Sequence, residues 1–140
     1  MLPLRHRVLR PGLPLDAARF AEDRAPDTFH VAAHDQDGTV IGCATFFPQP
    51  ADDPLALAAG PAWVLRGMAT HATYRGQGVG GRVLAAGVAE VTRRGGVAVW
   101  CRGREAASDF YRRHGFAERG ERFFIDPSGW HYHFVRELAA

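Results

Sequence analysis

Apolar and polar residues along the chain follow periods that are typical of short helices and strands. Residues 4–10 predict a helix that stops at Pro11-Gly12. Residues 17–23 predict a second helix, with Asp16 as its cap. We therefore expect two short helices before the first strand.

The period then changes to that of strands. Residues 28–34 and 39–47 are rich in β-branched and aromatic residues, and the Asp37-Gly38 pair between them is typical of a tight hairpin turn. Residues 48–61 contain four prolines and predict a surface loop. Residues 62–70 predict a third strand.

The central part of the chain predicts the order strand, helix, strand, helix. Residues 79–94 place apolar side chains near helical spacing, and Gly95-Gly96 ends that helix. Residues 97–101 are continuously apolar and predict a fully buried strand. Residues 105–114 predict a second helix, which Gly115 closes.

The last part of the chain predicts strands again. They cover residues 116–118, 122–125 and 131–138, with a turn at residues 126–129 between the last two. The sequence shows no internal repeat, low-complexity tract or interdomain linker. We expect a single α/β domain over residues 1–140.

Composition and charge narrow the classes of function. The formal charge is +2 and the 17 basic residues are scattered, which argues against a nucleic-acid surface but suits a small polyanionic ligand. No apolar stretch is long enough to span a bilayer, and no secretory signal opens the chain. Cys43 and Cys101 lie in apolar runs without a CxxC neighbour, which favours two buried thiols. We expect a cytoplasmic protein that binds neither nucleic acid nor membrane.

The most informative segment joins the third predicted strand to the next helix. Four of the six residues from Gly76 to Gly81 are glycines, which let a backbone approach a ligand closely. The first N–H groups of a helix have no intrahelical partner, and with the helix dipole they favour an anion such as pyrophosphate. The segment lacks the lysine of a P-loop and the third glycine of a dinucleotide-binding fingerprint. A turn that merely reverses the chain stays an alternative.

Two segments match the signatures of a known family. The pattern Arg75-x-x-Gly78-x-Gly80 resembles the Arg/Gln-x-x-Gly-x-Gly/Ala signature of GNAT (GCN5-related N-acetyltransferase) proteins. Downstream, residues 110–116 resemble the second signature of that family, a helix with Phe-Tyr-x-x-x-Gly-Phe. The close match covers residues 63–116. The flanking hairpin and C-terminal strands resemble the family only in the type of element predicted.

The resemblance implies a fold and a cofactor. The fold is α/β, with a mixed sheet of about six strands flanked by helices and splayed between the fourth and fifth family strands, where acetyl-CoA would bind. The implied contacts with acetyl-CoA come from one strand, the glycine segment and two later side chains: Met68, Ala69, Thr70, Arg75, Gly76, Gln77, Gly78, Val79, Gly80, Arg102 and Tyr111.

Tyr111 is implied to lie beside the thioester sulfur, and its chemistry suits that position. Aminolysis of a thioester expels a thiolate whose pKa is near that of cysteine, ~8.5. A phenol of pKa ~10 can protonate this thiolate, which makes Tyr111 the candidate general acid. A tyrosine that only packs a helix on the sheet is the alternative.

The general base is not evident from the sequence. A substrate ammonium must lose a proton before its nitrogen attacks, and the third predicted strand contains no glutamate for this step. The candidates are Glu118, Glu121, His131 and His71, or a chain of water molecules that ends on one of them. We favour Glu121 and His131, because the family places its C-terminal strands over the acceptor side and histidine suits a base at neutral pH. Each of them could instead be a solvated strand residue.

The chain departs from the family pattern in two places. Arg102 follows the buried strand where many members have an asparagine that bonds the cofactor, and Arg102 could instead reach a phosphate or an acidic substrate. The first family strand is short or absent. Histidine pairs at 30/34 and 131/133 each share a face of a strand. No third ligand has suitable spacing, so we expect no metal.

The predicted function is acetyl-CoA-dependent N-acetylation by direct attack in a ternary complex. The acceptor would be a primary amine of a small molecule or a peptide. The alternative is a non-catalytic acyl-CoA-binding or sensing module of the same fold. The sequence leaves a homodimer open.

Overall fold

The computed structural model describes residues 2–9, 20–51 and 60–138 of the chain. Within them lie three α-helices and six strands: α1 (Leu2–Leu9), β1 (Phe29–His34), β2 (Val40–Pro48), β3 (Ala62–Thr70), α2 (Val79–Arg93), β4 (Ala98–Arg104), α3 (Ser108–Arg113), β5 (Ala117–Ile125) and β6 (Gly129–Glu137). The strands form one sheet in the order β1-β2-β3-β4-β6-β5. The sheet is mixed, because β3 and β4 run parallel whereas β1 and β5 pair antiparallel with their neighbours.

Most elements lie where the apolar pattern predicts them. The hairpin strands are β1 and β2, the third predicted strand is β3, and the long central helix is α2. The first predicted helix is α1. Of the second, residues 17–19 lie outside the described part of the chain, and Ala21–Arg24 forms one 3-10 turn.

Three predicted boundaries are wrong. The separate strands at residues 116–118 and 122–125 are one strand, β5, because β6 pairs with it on both sides of an irregularity. The strand predicted at residues 97–101 begins at Ala98 and continues to Arg104, and its continuous buried run ends at Cys101, since Arg102 is exposed although Gly103 is buried again. The helix at residues 105–114 begins as a 3-10 turn and becomes α-helical at Ser108.

The chain divides into two compact units, and β3 contributes residues to both. The first unit takes its described residues from Met1–Phe47 and Leu65–Ala89, and the second from Pro48–Val64 and Glu90–Ala140. In the second unit, the first three residues of β3 pair in parallel with the first three of β4.

In the first unit, α2 lies close against β2. A Cβ atom on Gly42 would lie 2.7 Å from Cγ1 of Val79, and one on Gly87 would overlap the Phe46 ring. Both glycines are therefore required for this close approach. The packing fixes the first turn of α2, and with it the position of the glycine segment.

A buried ionic network connects α1 to the sheet of the first unit. Arg5 is 1% exposed, and its guanidinium donates to Asp23 at 2.8 Å and to the Thr45 hydroxyl at 2.7 Å. The Thr45 hydroxyl also lies 2.8 Å from Nδ1 of His30. Burial of the Arg5 charge would cost free energy if the guanidinium had no partner. Here a carboxylate and a hydroxyl accept its hydrogen bonds.

Candidate active site

The glycine segment of the first unit forms an exposed turn that ends where α2 begins. Residues 75–78 are exposed, and Gly76 and Gly78 both have φ of +80°. The first helical bond runs from Arg82 N to Gly78 O at 3.1 Å. The N–H groups of residues 79–81 therefore have no carbonyl within the helix, and they lie at its positive end. This geometry fits an anion.

The segment before this turn is held by local hydrogen bonds. Nδ1 of His71 accepts from Thr73 N at 3.2 Å, and the His71 N–H donates to Ile41 O at 2.7 Å. The Gln77 side chain donates to Thr73 O at 3.3 Å. His71 thus caps the turn through Nδ1. Because this nitrogen already accepts the Thr73 N–H, His71 is a poorer candidate base.

The three predicted contact residues on β3 differ in exposure. Ala69 is buried, whereas Met68 and Thr70 are partly exposed. Gly67 just before them has φ of +65°, a left-handed conformation that interrupts the regular strand. Their proposed contact with acetyl-CoA stays a prediction.

Tyr111 in the second unit is packed among aromatic rings. Its ring stacks on Phe134 with 4.6 Å between centroids and meets Phe116 edge-on at 5.7 Å. It also covers Gly103, where a Cβ would lie 2.7 Å from its Cε2 atom. The ring is therefore held in one position, with 8% of the residue exposed.

The Tyr111 hydroxyl is hydrogen-bonded to the Cys101 side chain. Burial raises the pKa of Tyr111 well above its ordinary value, and Cys101 adds to the rise. Burial also raises the pKa of Cys101 to about 12. Both groups are therefore protonated and neutral across the physiological range.

Tyr111 and His131 lie on opposite faces of the antiparallel pair β4–β6. Cys101 is opposite Phe134 in the register, and Arg104 is opposite His131. Because side chains alternate along a strand, Phe134 and the tyrosine stacked on it take one face and His131 the other. The structure does not bring these two predicted catalytic residues together.

The His131 ring has a defined tautomer when it is neutral. The residue is 5% exposed, and its Nδ1 atom lies 2.8 Å from Gly129 O. A carbonyl oxygen can only accept, so Nδ1 carries the proton and Nε2 has the free lone pair. The ring is stacked on Phe123, its partner in the register, at 5.9 Å.

The remaining candidates from the sequence differ in their surroundings. Glu118 accepts two hydrogen bonds from Arg112, at 2.7 and 2.6 Å, and these lower its pKa, which makes it a weaker base. Glu121 is exposed and lies within the irregular part of β5. Arg102 is exposed, and its guanidinium lies 4.9 Å from the Trp100 ring centre. The turn residues are in the first unit, whereas Arg102, Tyr111, Glu121 and His131 are in the second.

Comparison with known proteins identifies the family. A model of the acetyltransferase (GNAT) family matches residues 4–116. The chain belongs to the GNAT family. It is 38% identical over 135 residues to the Bacillus subtilis (strain 168) protein named uncharacterized N-acetyltransferase YitI, with 96% of this chain and 88% of the relative covered. The prediction of an N-acetyltransferase is thereby confirmed.

Solved structures confirm the predicted GNAT fold. An aminoglycoside 6'-N-acetyltransferase complexed with coenzyme A has a TM-score of 0.78 at 16% identity, with 99% of this chain and 89% of that chain covered. An acyl-CoA N-acyltransferase from Pseudomonas aeruginosa has a TM-score of 0.69 at 21% identity, with 96% and 86% covered.

Two kinds of feature are absent from the part of the chain that the structure describes. In residues 2–9, 20–51 and 60–138, no helix is long and apolar enough to cross a membrane. The same part of the chain contains no group of three or more His, Cys, Asp and Glu side chains that could hold a metal ion.

Sequence reasoning missed two neighbours of the candidate acid, Cys101 and Gly103. Cys101 bonds the hydroxyl of the candidate acid, and Gly103 makes room for its ring. A glycine inside a buried strand is a sequence signal for close approach, and it could have pointed to Gly103. The contact with Cys101 depends on the position of α3 over β4, for which the sequence has no comparable signal.

Proposed function

We propose that this GNAT protein binds acetyl-CoA and transfers its acetyl group to a primary amine of a small molecule or peptide. The exposed turn before α2 supports this most directly, since two glycines with φ of +80° lead into unpaired helical N–H groups. That turn suits a pyrophosphate. The coenzyme A complex of the structurally similar aminoglycoside acetyltransferase adds support. We also propose that residues 1–140 act as a single N-acetyltransferase domain.

The chain's own residues suggest how the cosubstrate would be held. The N–H groups from Arg75 to Gly80 would bind the pyrophosphate, and the backbone from Met68 to Thr70 would bond the pantetheine arm. Arg102 would take over a contact that asparagine makes in other members. When bound, acetyl-CoA supplies the acetyl group as a thioester.

Tyr111 would act as the general acid. Its raised pKa keeps the phenol protonated at neutral pH, so that a proton is available for the thiolate that leaves when the C–S bond breaks. The backbone N–H groups of β3 would polarise the thioester carbonyl. The packed ring would keep the hydroxyl in place without reorganisation.

His131 and Glu121 remain the candidate bases in this proposal. The free lone pair of His131 Nε2 suits removal of a proton from a substrate ammonium. Acid and base act on different atoms, the leaving sulfur and the attacking nitrogen. Because His131 and Tyr111 lie on opposite faces of β4–β6, His131 would receive the proton through a chain of water molecules and not by direct contact with a nitrogen beside Tyr111.

Two measurements test the proposal. Titration calorimetry should detect acetyl-CoA binding, and a panel of amines should include acceptors that release coenzyme A from it. Binding without turnover on any amine would favour the non-catalytic module instead. An absence of acetyl-CoA binding by the folded protein would refute the proposal.

A further inference from the structure

Cys101 is a thiol in a strand whose other buried positions are hydrocarbon or indole. The preceding residues, Ala98, Val99 and Trp100, are each 0% exposed, and Cys101 is 2% exposed. An aliphatic side chain would fill such a position equally well by the hydrophobic effect alone. The thiol differs from it chiefly by its weak capacity to accept and donate hydrogen bonds.

The register of β4 on β6 and the ring contacts of Tyr111 place this thiol beside Tyr111. Cys101 and Gly103 are two apart on β4 and so share a face, and Phe134 lies directly opposite Cys101. The Tyr111 ring covers both Gly103 and Phe134. The side chains of Cys101 and Tyr111 meet in a hydrogen bond.

We propose that Cys101 is a positioning residue whose sulfur accepts the hydroxyl hydrogen of Tyr111 and holds that hydroxyl in one orientation. The inference rests on the proposed role of Tyr111 as the general acid. Cys101 itself exchanges no proton with the substrate in this scheme.

A thiol suits this task because its sulfur is a weak acceptor. A neutral sulfur orients the phenol O–H but binds its hydrogen loosely, whereas a thiolate is a far stronger acceptor. When the C–S bond of the thioester breaks, the Tyr111 proton moves to the leaving sulfur. The C–N bond of the amide forms in the same reaction, and the attacking nitrogen loses a proton to the base. The Tyr111 phenolate then takes up a proton from solvent before the next turnover.

The protonation state of Cys101 is compatible with the proposed role. Its pKa of about 12, raised by burial, keeps the sulfur uncharged while the enzyme works. A thiolate at this position would hold the Tyr111 hydrogen strongly and oppose its release. Burial of both residues also leaves little water to compete for the hydroxyl.

The test combines Cys101→Ala and Cys101→Ser with Tyr111→Phe in a double-mutant cycle. We expect Cys101→Ala to lower kcat about 3- to 10-fold with little change in acetyl-CoA affinity, because only orientation of the acid is lost. Cys101→Ser, which keeps an acceptor, should recover at least half of that loss. In the Tyr111→Phe background, Cys101→Ala should have no further effect.

A matched control separates positioning from packing. Val99 lies on the same strand and the same face, so Val99→Ala removes buried volume without touching the hydroxyl. It should lower stability and leave kcat within about 2-fold. An equal loss of kcat in Cys101→Ala with and without the Tyr111 hydroxyl would overturn the inference. So would an unchanged kcat in Cys101→Ala alongside a large loss in Tyr111→Phe.

A second readout does not depend on turnover. The infrared S–H stretching band reports the hydrogen bonding of a thiol, and the chain has two cysteines, so Cys101→Ser assigns the band of Cys101. Tyr111→Phe should shift that band. An unshifted band would overturn the inference even in an active enzyme. If the band shifts but Tyr111→Phe keeps full turnover, the hydrogen bond stands, the acid role fails, and the positioning role is overturned with it.

Discussion

Gly103 and Tyr111 approach each other so closely that a Cβ atom on the glycine would lie 2.7 Å from Cε2 of the tyrosine. The same atom would lie 2.7 Å from Cδ2 of Phe134. Neither neighbour is a flexible chain end, since both are ring atoms packed on each other at 4.6 Å between centroids. A methyl group at position 103 therefore has to move the candidate acid.

Gly103→Ala should lower both stability and turnover. Overpacking of a closed site costs about 1–3 kcal/mol, and displacement of the Tyr111 hydroxyl should lower kcat at least ~10-fold. Gly38→Ala is the control, because Gly38 has φ of +82° in a hairpin turn with open space around it. It should cost about 1 kcal/mol through strain and leave kcat unchanged. Urea unfolding and coenzyme A release measure the two effects, and full activity in Gly103→Ala would contradict the account.

Gly78→Val should weaken acetyl-CoA binding at least ~10-fold, about 1.4 kcal/mol. A side chain at Gly78 strains the turn and stands in front of the helical N–H groups that would bind the pyrophosphate. Gly38→Val is closely matched, with φ of +82° against +80° and open space at both positions. Calorimetry should show a loss of affinity for the Gly78 variant alone. Equal affinities in both folded variants would remove the pyrophosphate assignment.

Tyr111→Phe keeps the ring stack and removes only the hydroxyl. Acetyl-CoA affinity should stay within a few-fold, while kcat and kcat/KM should fall together by roughly 10²-fold, as expected for a group that acts in the transition state. The loss should shrink for an acyl donor with a more acidic thiol. In the wild-type enzyme, the raised pKa of Tyr111 predicts that the acid stays active above pH ~10, the ordinary limit of a phenol. Unchanged turnover in the variant would make Tyr111 a packing residue.

The Arg5–Asp23 pair predicts a loss of stability in acid. Burial alone would raise the pKa of Asp23, but hydrogen bonds from Arg5 and from the Phe20 N–H outweigh it and lower the net pKa. A depressed pKa means that the stabilisation is present above the unfolded value of 3.8 and is lost as the pH falls below it. The wild type should therefore be most sensitive to pH below about 4.

Asp23→Asn should cost about 3 kcal/mol at pH 7, because it leaves the Arg5 charge buried without its carboxylate. The difference from wild type should narrow at pH 3, because the Asp23 carboxyl of the unfolded state, with a pKa of 3.8, is then protonated and favours unfolding of the wild type. Glu90→Gln is the control. Glu90 pairs with Arg93 and Arg94 at the surface, and these lower its pKa to about 2, but screening by solvent should keep its effect on stability far below that of Asp23. If the unfolding free energies of wild type and Asp23→Asn differ by the same amount at pH 7 and pH 3, the Arg5–Asp23 pair is not the source of the acid sensitivity.

The elements that the sequence predicted well are those with a local signal. The content of β-branched and aromatic residues and the Asp37-Gly38 turn predicted β1 and β2, and helical spacing predicted α2. The split of β5 was wrong because residues 119–122, Arg-Gly-Glu-Arg, resemble a turn. Only the pairing of β6 on both sides keeps them within one strand. That pairing is a long-range contact, which no local pattern encodes.

The same distinction holds for the site. The glycine turn was predicted because its glycines and the helix that follows are contiguous in sequence. The two faces that separate Tyr111 from His131 follow from the register of β4 on β6, and one residue of slippage would exchange them. The partnership of Tyr111 with Cys101 likewise depends on how α3 lies on the strand.

The irregularity in β5 has a consequence for solubility. Between Arg119 and Phe123 the strand advances four residues while β6 advances only two, from His133 to His131. β5 is the outermost strand of the described sheet, so its free edge could otherwise pair with another chain. The extra residues, with Gly120 at φ of +76°, break the straight row of backbone donors and acceptors that such pairing needs. Removal of Gly120 and Glu121 would straighten this edge and make self-association and aggregation easier.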